Sequence, residues 1–291
     1  MRFAQSARGA RGVALALGIA LLLLVACTGC ATAPVAQRST PTATTPPTAT
    51  PFPTITPPPS ATPLPVASPV AHPAGWSTGT DPHWSGYVFP SAATITGVRA
   101  LWREPLVTGK ASAEEFTWVG IGGWGSSNGL IQVGTFAYFP PSGGLHQGIW
   151  YESIPPNIAK FPLIDVSPGD QIFASIERTQ ANPQTWHMLL LDVTTGAEFD
   201  QTIAYTSSES SAEYVVEDPN ETQSSGPPYY PLPTFSPVTF TNMQLSLDGS
   251  WVSADAVYGR NLSMLQNGHE LTHCGPLRAS SFTLTRDATT P

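Results

Sequence analysis

The sequence predicts an all-β domain, an antiparallel β-sandwich of jelly-roll or concanavalin-like form, preceded by a disordered stalk. Three observations predict it: apolar residues alternate with period two, turn-forming residues separate the alternating runs, and a long Pro/Thr/Ala-rich segment lies ahead of them.

The first element is a leader. Arg2, Arg8 and Arg11 precede an apolar run from Val13 to Ala26, a positive n-region followed by an h-region. The run is shorter than a membrane span requires. It ends in Leu24-Val25-Ala26-Cys27, which resembles the lipobox of bacterial lipoproteins. Residues 1–26 are therefore expected to be a lipoprotein signal peptide, with lipidation at Cys27. That placement implies an extracytoplasmic protein whose contact with the membrane or cell surface is an N-terminal lipid anchor. Cys27 and Cys30 form a C-x-x-C with no strand–helix unit around it, so a redox role is not expected. Cys274 stands alone, and the folded domain is read as free of disulfides.

Residues 27–74 are the stalk. Pro, Thr and Ala dominate, and no Asp, Glu, Lys or Arg occurs between Arg38 and Asp81. Such a segment cannot bury a core and favours extended polyproline-like backbone. About forty of these residues at ~3.1 Å each span up to roughly 120 Å.

Residues 75–291 form one domain. In Gln171-Ile172-Phe173-Ala174-Ser175-Ile176-Glu177, the residues Ile172, Ala174 and Ile176 share a face. Val98, Ala100 and Trp102 do the same, with Arg99 and Arg103 opposite. Ser167-Pro168-Gly169-Asp170, Thr194-Thr195-Gly196, Asp248-Gly249 and Asn267-Gly268 read as turns. No amphipathic helix is evident. The net charge of −8 and the scarcity of lysine (Lys110 and Lys160) exclude nucleic acid and anionic lipid surfaces as natural partners. A monomer is expected.

Three short strings invite catalytic readings and fail on context. His269-Glu270-Leu271-Thr272-His273 fits the zinc-peptidase pattern H-E-x-x-H. It follows the hairpin signal Asn267-Gly268 directly and is followed by Gly275-Pro276, so it reads as a strand. On a strand the two histidines stand ~13 Å apart, too far to share an ion. Gly125-Ser126-Ser127-Asn128-Gly129 fits a nucleophile elbow, and Gly120, Gly122 and Gly125 fit a dinucleotide fingerprint. Both lead into the strand-like Leu130-Ile131-Gln132-Val133-Gly134, whereas those motifs need a helix. No metal and no cofactor is implied.

A wider constellation carries more weight. It comprises Thr117-Trp118-Val119-Gly120-Ile121-Gly122-Gly123 with Leu130-Ile131-Gln132-Val133-Gly134, then Trp150-Tyr151-Glu152, then Ala212-Glu213-Tyr214-Val215-Val216-Glu217-Asp218. With His83-Trp84-Ser85-Gly86-Tyr87 ahead of them and Val238-Thr239-Phe240-Thr241 behind, these stretches resemble the glutamic peptidases, the eqolisin family. The resemblance implies a β-sandwich endopeptidase acting on polypeptides in acid. It implies Gln132 and Glu217 as the catalytic dyad, and Trp118, Trp150 and Glu152 as residues lining the cleft and holding substrate. Glu213 matches the family's non-catalytic glutamate. The fungal members carry aspartates where this chain has Gly122, Phe136 and Lys160, so part of their acidic network is absent here.

The residues themselves agree with that assignment. Around Gln132 the neighbours Ile131 and Val133 take the opposite face, and around Glu217 so do Tyr214 and Val216. Both polar side chains thus avoid the likelier core face. Glu213 and Glu217 lie ~13 Å apart along one strand, which disfavours a glycosidase pair built on them. The segment from Pro219 to Pro233 reads as a flexible loop beside the cleft. The alternative is a non-catalytic carbohydrate-binding or adhesive sandwich, with Trp124 as the natural stacking residue. A zinc peptidase acting through residues 269–273 is a more distant alternative.

Overall fold

The structure is a computed structural model and describes residues 77–287, except 126–128, 157–158, 181, 183 and 220–228. The leader, the stalk and most of the loop after Glu217 lie outside the described residues.

Seventeen strands form the domain. The first seven are β1 (Ser77–Asp81), β2 (Trp84–Pro90), β3 (Ile95–Arg103), β4 (Val107–Thr108), β5 (Glu114–Gly122), β6 (Leu130–Tyr138) and β7 (His146–Ile154). Next come β8 (Gln171–Arg178), β9 (Thr185–Asp192), β10 (Glu198–Ala204), β11 (Ser211–Glu217) and β12 (Thr234–Phe235). The last five are β13 (Val238–Leu247), β14 (Ser250–Ser253), β15 (Arg260–Gln266), β16 (His269–Cys274) and β17 (Phe282–Arg286). The hydrogen-bonded path runs β10-β9-β8-β3-β13-β17-β16-β15-β2-β11-β5-β6-β7, with β1 on β15, β14 on β13, and β12 paired to β4.

The path turns a corner in β13. Its first residues pair with β17 and its later ones with β3, with the register shifting between Thr241 and Gln244 where Asn242 has φ 51°. Such an irregularity bends a strand and lets one chain segment serve two sheets. The two halves of the sheet pack against each other, β3 and β8 lying over β5 and β6. The predicted antiparallel sandwich is present. The one parallel pairing among the described residues is β1 with β15.

The alternation seen in the sequence builds the core. Val98, Ala100 and Trp102 on β3 and Ile172, Ala174 and Ile176 on β8 are at most 1% exposed. They meet Ile131, Val133, Tyr214 and Val216 from the facing sheet in one apolar cluster. The sequence of β16 is residues 269–273 followed by Cys274, and Asn267 (φ 50°) and Gly268 (φ 82°) form the tight turn before it. Two successive positive φ angles are what a type I′ hairpin turn requires. The histidine string is a hairpin strand, as its context predicted.

Candidate active site

Strand β5 lies between β6 and β11, and its register places the site residues in rows across the sheet. Gly120 pairs with Gln132 on β6 and with Glu213 on β11, and Gln132 pairs in turn with Glu152 on β7. Two residues along, Trp118 pairs with Gly134 and Val215, and Gly134 with Trp150. Two further, Phe116 pairs with Phe136 and Glu217. Period-two alternation puts all three rows on the face opposite the core. A second, smaller apolar cluster of Trp118, Leu130, Trp150 and Val215 forms there.

Two glycines make room for the indole of Trp118. A Cβ on Gly134 would lie 2.0 Å from the Thr117 carbonyl oxygen and 2.6 Å from Trp118 Cβ. One on Gly120 would lie 2.7 Å from Trp118 Cζ3. With both side chains absent the ring settles against its own sheet, and its Nε1 donates to Glu217 Oε2 at 2.8 Å. The Trp84 ring meets Trp118 edge-on, centroids 5.1 Å apart. Burial pushes the Glu217 carboxyl up to about 7; the Trp84 and Trp118 indoles oppose the rise, while the Glu152 and Asp81 carboxyls add to it.

Gln132 is 2% exposed. Its Nε2 donates to Glu152 Oε2 at 3.1 Å, and its Oε1 is buried without a partner. Burial raises the Glu152 pKa and the bond from Gln132 opposes that rise. Behind Glu217, the fully buried Asp218 accepts from Gln266 Nε2 at 2.6 Å, and burial pushes its carboxyl up to about 8. The Asp218 amide donates to the His83 carbonyl at 2.9 Å, and His83 Nδ1 stands 2.9 Å from the Asp218 carbonyl oxygen. A carbonyl only accepts, so that nitrogen carries the proton. The turn before β2 is thereby fastened to the end of β11 beside Glu217.

These rows floor a cleft of about 740 Å³ bordered by Trp84, Phe116, Gln132, Trp150, Glu152 and Glu217. Four of the five residues that the sequence placed in or beside the dyad's cleft are there. Trp118 is the exception: it is fully buried, does not border the cleft, and contacts Glu217 from below. Its expected role in lining the cleft is replaced by one in holding the carboxyl. Trp150 borders the cleft with its ring, while its Nε1 donates to the Thr135 carbonyl at 3.1 Å. Asp81, His83, Glu114 and Tyr230 also border it and were not singled out as site residues from sequence; so does Trp124, which the sequence marked only as a stacking residue of the binding-module alternative.

Two of the three missing aspartates, those at positions 122 and 136, have local explanations. A Cβ at Gly122 would come 2.2 Å from the Gly129 carbonyl oxygen, so no side chain fits there. Phe136 lies tilted against Phe116, centroids 6.1 Å apart, and meets Phe161 edge-on at 5.1 Å, rings that offer a carboxylate no partner. The carboxyls that act on Glu217 here are Glu152 and Asp81. Gly122, Gly123 and Gly125, with φ between 73° and 92°, turn the chain from β5 into β6, a strand and not the helix a nucleotide or elbow motif needs. Ser126, Ser127 and Asn128 lie outside the described residues.

The architecture is a β-sandwich with a carboxyl-lined cleft across one sheet, a setting in which acid–base chemistry is possible. The chain belongs to the Peptidase A4 family, whose profile matches residues 82–286. It is a glutamic endopeptidase. Scytalidopepsin B of Scytalidium lignicola is 29% identical over 201 residues, covering 67% of this chain and 74% of the relative. Aspergillopepsin-2 of Aspergillus niger is 31% identical over 176 residues, 56% of this chain and 57% of the relative. Among solved structures, scytalido-glutamic peptidase with a transition-state analogue inhibitor superposes with TM-score 0.59 at 24% identity, covering 72% of this chain and all (100%) of that one. Aspergilloglutamic peptidase from Aspergillus niger gives TM-score 0.51 at 27% identity, over 60% of this chain and 99% of that one. The family match favours an enzyme over the non-catalytic binding module.

Proposed function

We propose that the protein cleaves peptide bonds with Glu217 as general base and acid and Gln132 as oxyanion donor. The observation that carries this reading is the cleft itself, which is bordered by the half-buried carboxyl of Glu217 on β11 and the buried carboxamide of Gln132 on β6. Ionised Glu217 takes a proton from water while the water oxygen bonds to the scissile carbonyl carbon. The carbonyl oxygen becomes an oxyanion, and Gln132 Nε2 donates to it. Glu152 accepts one hydrogen of that NH₂ group, which fixes the amide with its second N–H free for the oxyanion. Protonated Glu217 then passes its proton to the leaving nitrogen, the C–N bond breaks, and Glu217 returns to the carboxylate. No step requires a metal or a covalent enzyme intermediate.

The pKa of about 7 at Glu217 sets the pH range. The base form falls tenfold for each pH unit below that value. The fold meanwhile favours protonated carboxyls elsewhere, as developed below. Activity should therefore peak in weak acid and not in strong acid, in line with the loss of aspartates at positions 122 and 136.

The display proposed for the enzyme is extracytoplasmic: a lipid on Cys27, a stalk to residue 74, and a monomeric catalytic domain acting on polypeptides and not on nucleic acid. Cleavage of a peptide mixture by the full chain between about pH 3 and 7 tests the chemistry. Cleavage that persists with chelator and disappears in both Glu217→Gln and Gln132→Ala supports the dyad. Cleavage that survives Glu217→Gln removes it, and loss to chelator alone revives residues 269–273.

A further inference from the structure

The register orders the cleft along its strands. Leu130, paired with Gly122 and Ile154, lies two residues beyond Gln132 on β6, a step of ~6.6 Å. In the opposite direction come Phe116 and Glu217, then Glu114 two residues further on β5. The ends of the cleft differ in chemistry. Beyond Gln132 the walls are Trp124, Leu130, Ile154 and Ala159; beyond Glu217 they are Asp81, His83, Glu114 and Tyr230.

The apolar end is a rigid seat. Leu130 is 5% exposed and packs so closely on Gly123 that a Cβ there would lie 3.2 Å from its own. The Ile154 carbonyl accepts from the Tyr205 hydroxyl at 2.5 Å, which holds the end of β7. The Arg260 guanidinium lies over the Trp124 ring, 5.4 Å from its centroid, and braces it. In an extended peptide, side chains on one side recur every two residues, the same ~6.6 Å that separates Leu130 from Gln132.

We infer that Trp124, Leu130 and Ile154 form the specificity pocket of the enzyme, which takes a large apolar side chain of the polypeptide on the Gln132 side of the scissile bond. This rests on the dyad reading above. The opposite end offers a substrate side chain the acidic and polar groups of Asp81, Glu114 and His83 beside the aromatic rings of Trp84, Phe116 and Tyr230. Selection for an apolar residue is therefore expected at one fixed position from the cut, on the side whose walls hold no ionisable group.

The test uses the full chain and a peptide mixture whose products are sequenced by mass spectrometry. Phe, Leu, Met and Trp should be enriched at one position within about two residues of the cut, since recognition there is set by apolar contact. A pair of peptides differing only by Phe or Ala at that position then gives a ratio of kcat/KM values. A single methylene in an apolar pocket is worth ~10–200-fold, so Trp124→Ala should lower the ratio by at least about 10-fold. Ile154→Ala should lower it less, and Trp124→Phe should keep most of it. An unchanged ratio in Trp124→Ala and Ile154→Ala, or no apolar enrichment in the wild type, overturns the pocket. Glu217→Gln runs beside them. If it still cleaves both peptides, the dyad fails while the ratio continues to report on the pocket.

Discussion

Glu115 offers the sharpest test of how this domain couples protons to folding. It sits on β5, 1% exposed, with its carboxyl accepting from the Thr117 hydroxyl. Burial pushes it from 4.5 up to about 7. Glu104 nearby is 2% exposed and pushed well upward by burial and by the Glu115 charge, although Gln147 Nε2 donates to it at 2.9 Å. The folded protein thus holds these protons more tightly than the unfolded chain does. The stabilisation is full below about 4.5, falls as pH rises, and is lost on passing about 7. For Glu115 alone the interval corresponds to about 3 kcal/mol, at ~1.36 kcal/mol per pH unit. Glu115→Gln replaces a neutral acid by a neutral amide of the same shape, and the Thr117 hydroxyl can still donate to it. In acid the variant should match the wild type to within about 1 kcal/mol. Above neutrality it should be the more stable by up to about 3 kcal/mol. Urea unfolding followed by tryptophan fluorescence, in acid and above neutrality, reads this directly. With m near ~1–3 kcal/mol/M the full difference separates the midpoints by roughly 1–3 M in the alkaline series. If both proteins lose the same stability between the two conditions, the buried Glu115 carboxyl is not a source of the pH dependence and the reasoning fails.

Other expectations concern the site and its support. Trp118→Phe removes the indole N–H that holds the Glu217 pKa down; the base limb of the pH–rate profile should move to higher pH, with kcat/KM in weak acid falling about 10-fold. A limb that stays in place would separate the indole from the titration. Gly134→Ala drives a Cβ into the Thr117 carbonyl, and overpacking of this kind should cost about 3 kcal/mol. In a domain of this size that lowers Tm by roughly 6–12 °C, and a thermal scan with no shift would show that β6 yields freely. His269→Ala and His273→Ala alter exposed positions on β16, so stability should change by less than about 0.5 kcal/mol. Peptide cleavage should continue at the wild-type rate in chelator, and loss of cleavage in either variant would contradict the strand reading.

Much of the fold was legible because strand alternation is local. Val98, Ala100 and Trp102 announce a buried face without reference to anything distant, and Asn267-Gly268 announces its hairpin. The same rule put Gln132 and Glu217 on the non-core face. It stopped at burial depth: Glu213 shares that face, yet it is fully buried, and burial holds its carboxyl well above the usual carboxylate range. Trp118 was misplaced for the same reason, since only the pairing of Gly120 and Gly134 on either side of it explains why the ring lies down. Asp81, His83, Glu114 and Trp124 belong to turns and strand ends. Their place in the cleft depends on which strands become neighbours, as when β1 joins β15 across 183 positions from Ser77 to Arg260. No short-range pattern carries that information.

That last pairing has a mechanical side. Strand β1 is the chain's entry into the domain, five residues long, held parallel to β15. Its final residue, Asp81, accepts from the amides of His83 and Trp84 and borders the cleft beside Glu217. A pull on the chain ahead of Ser77 is therefore borne first by a short run of hydrogen bonds whose far end is the catalytic wall. Strand β1 and the cleft wall beside Glu217 thus share one structural element, so loosening the pairing of β1 with β15 would disturb the cleft.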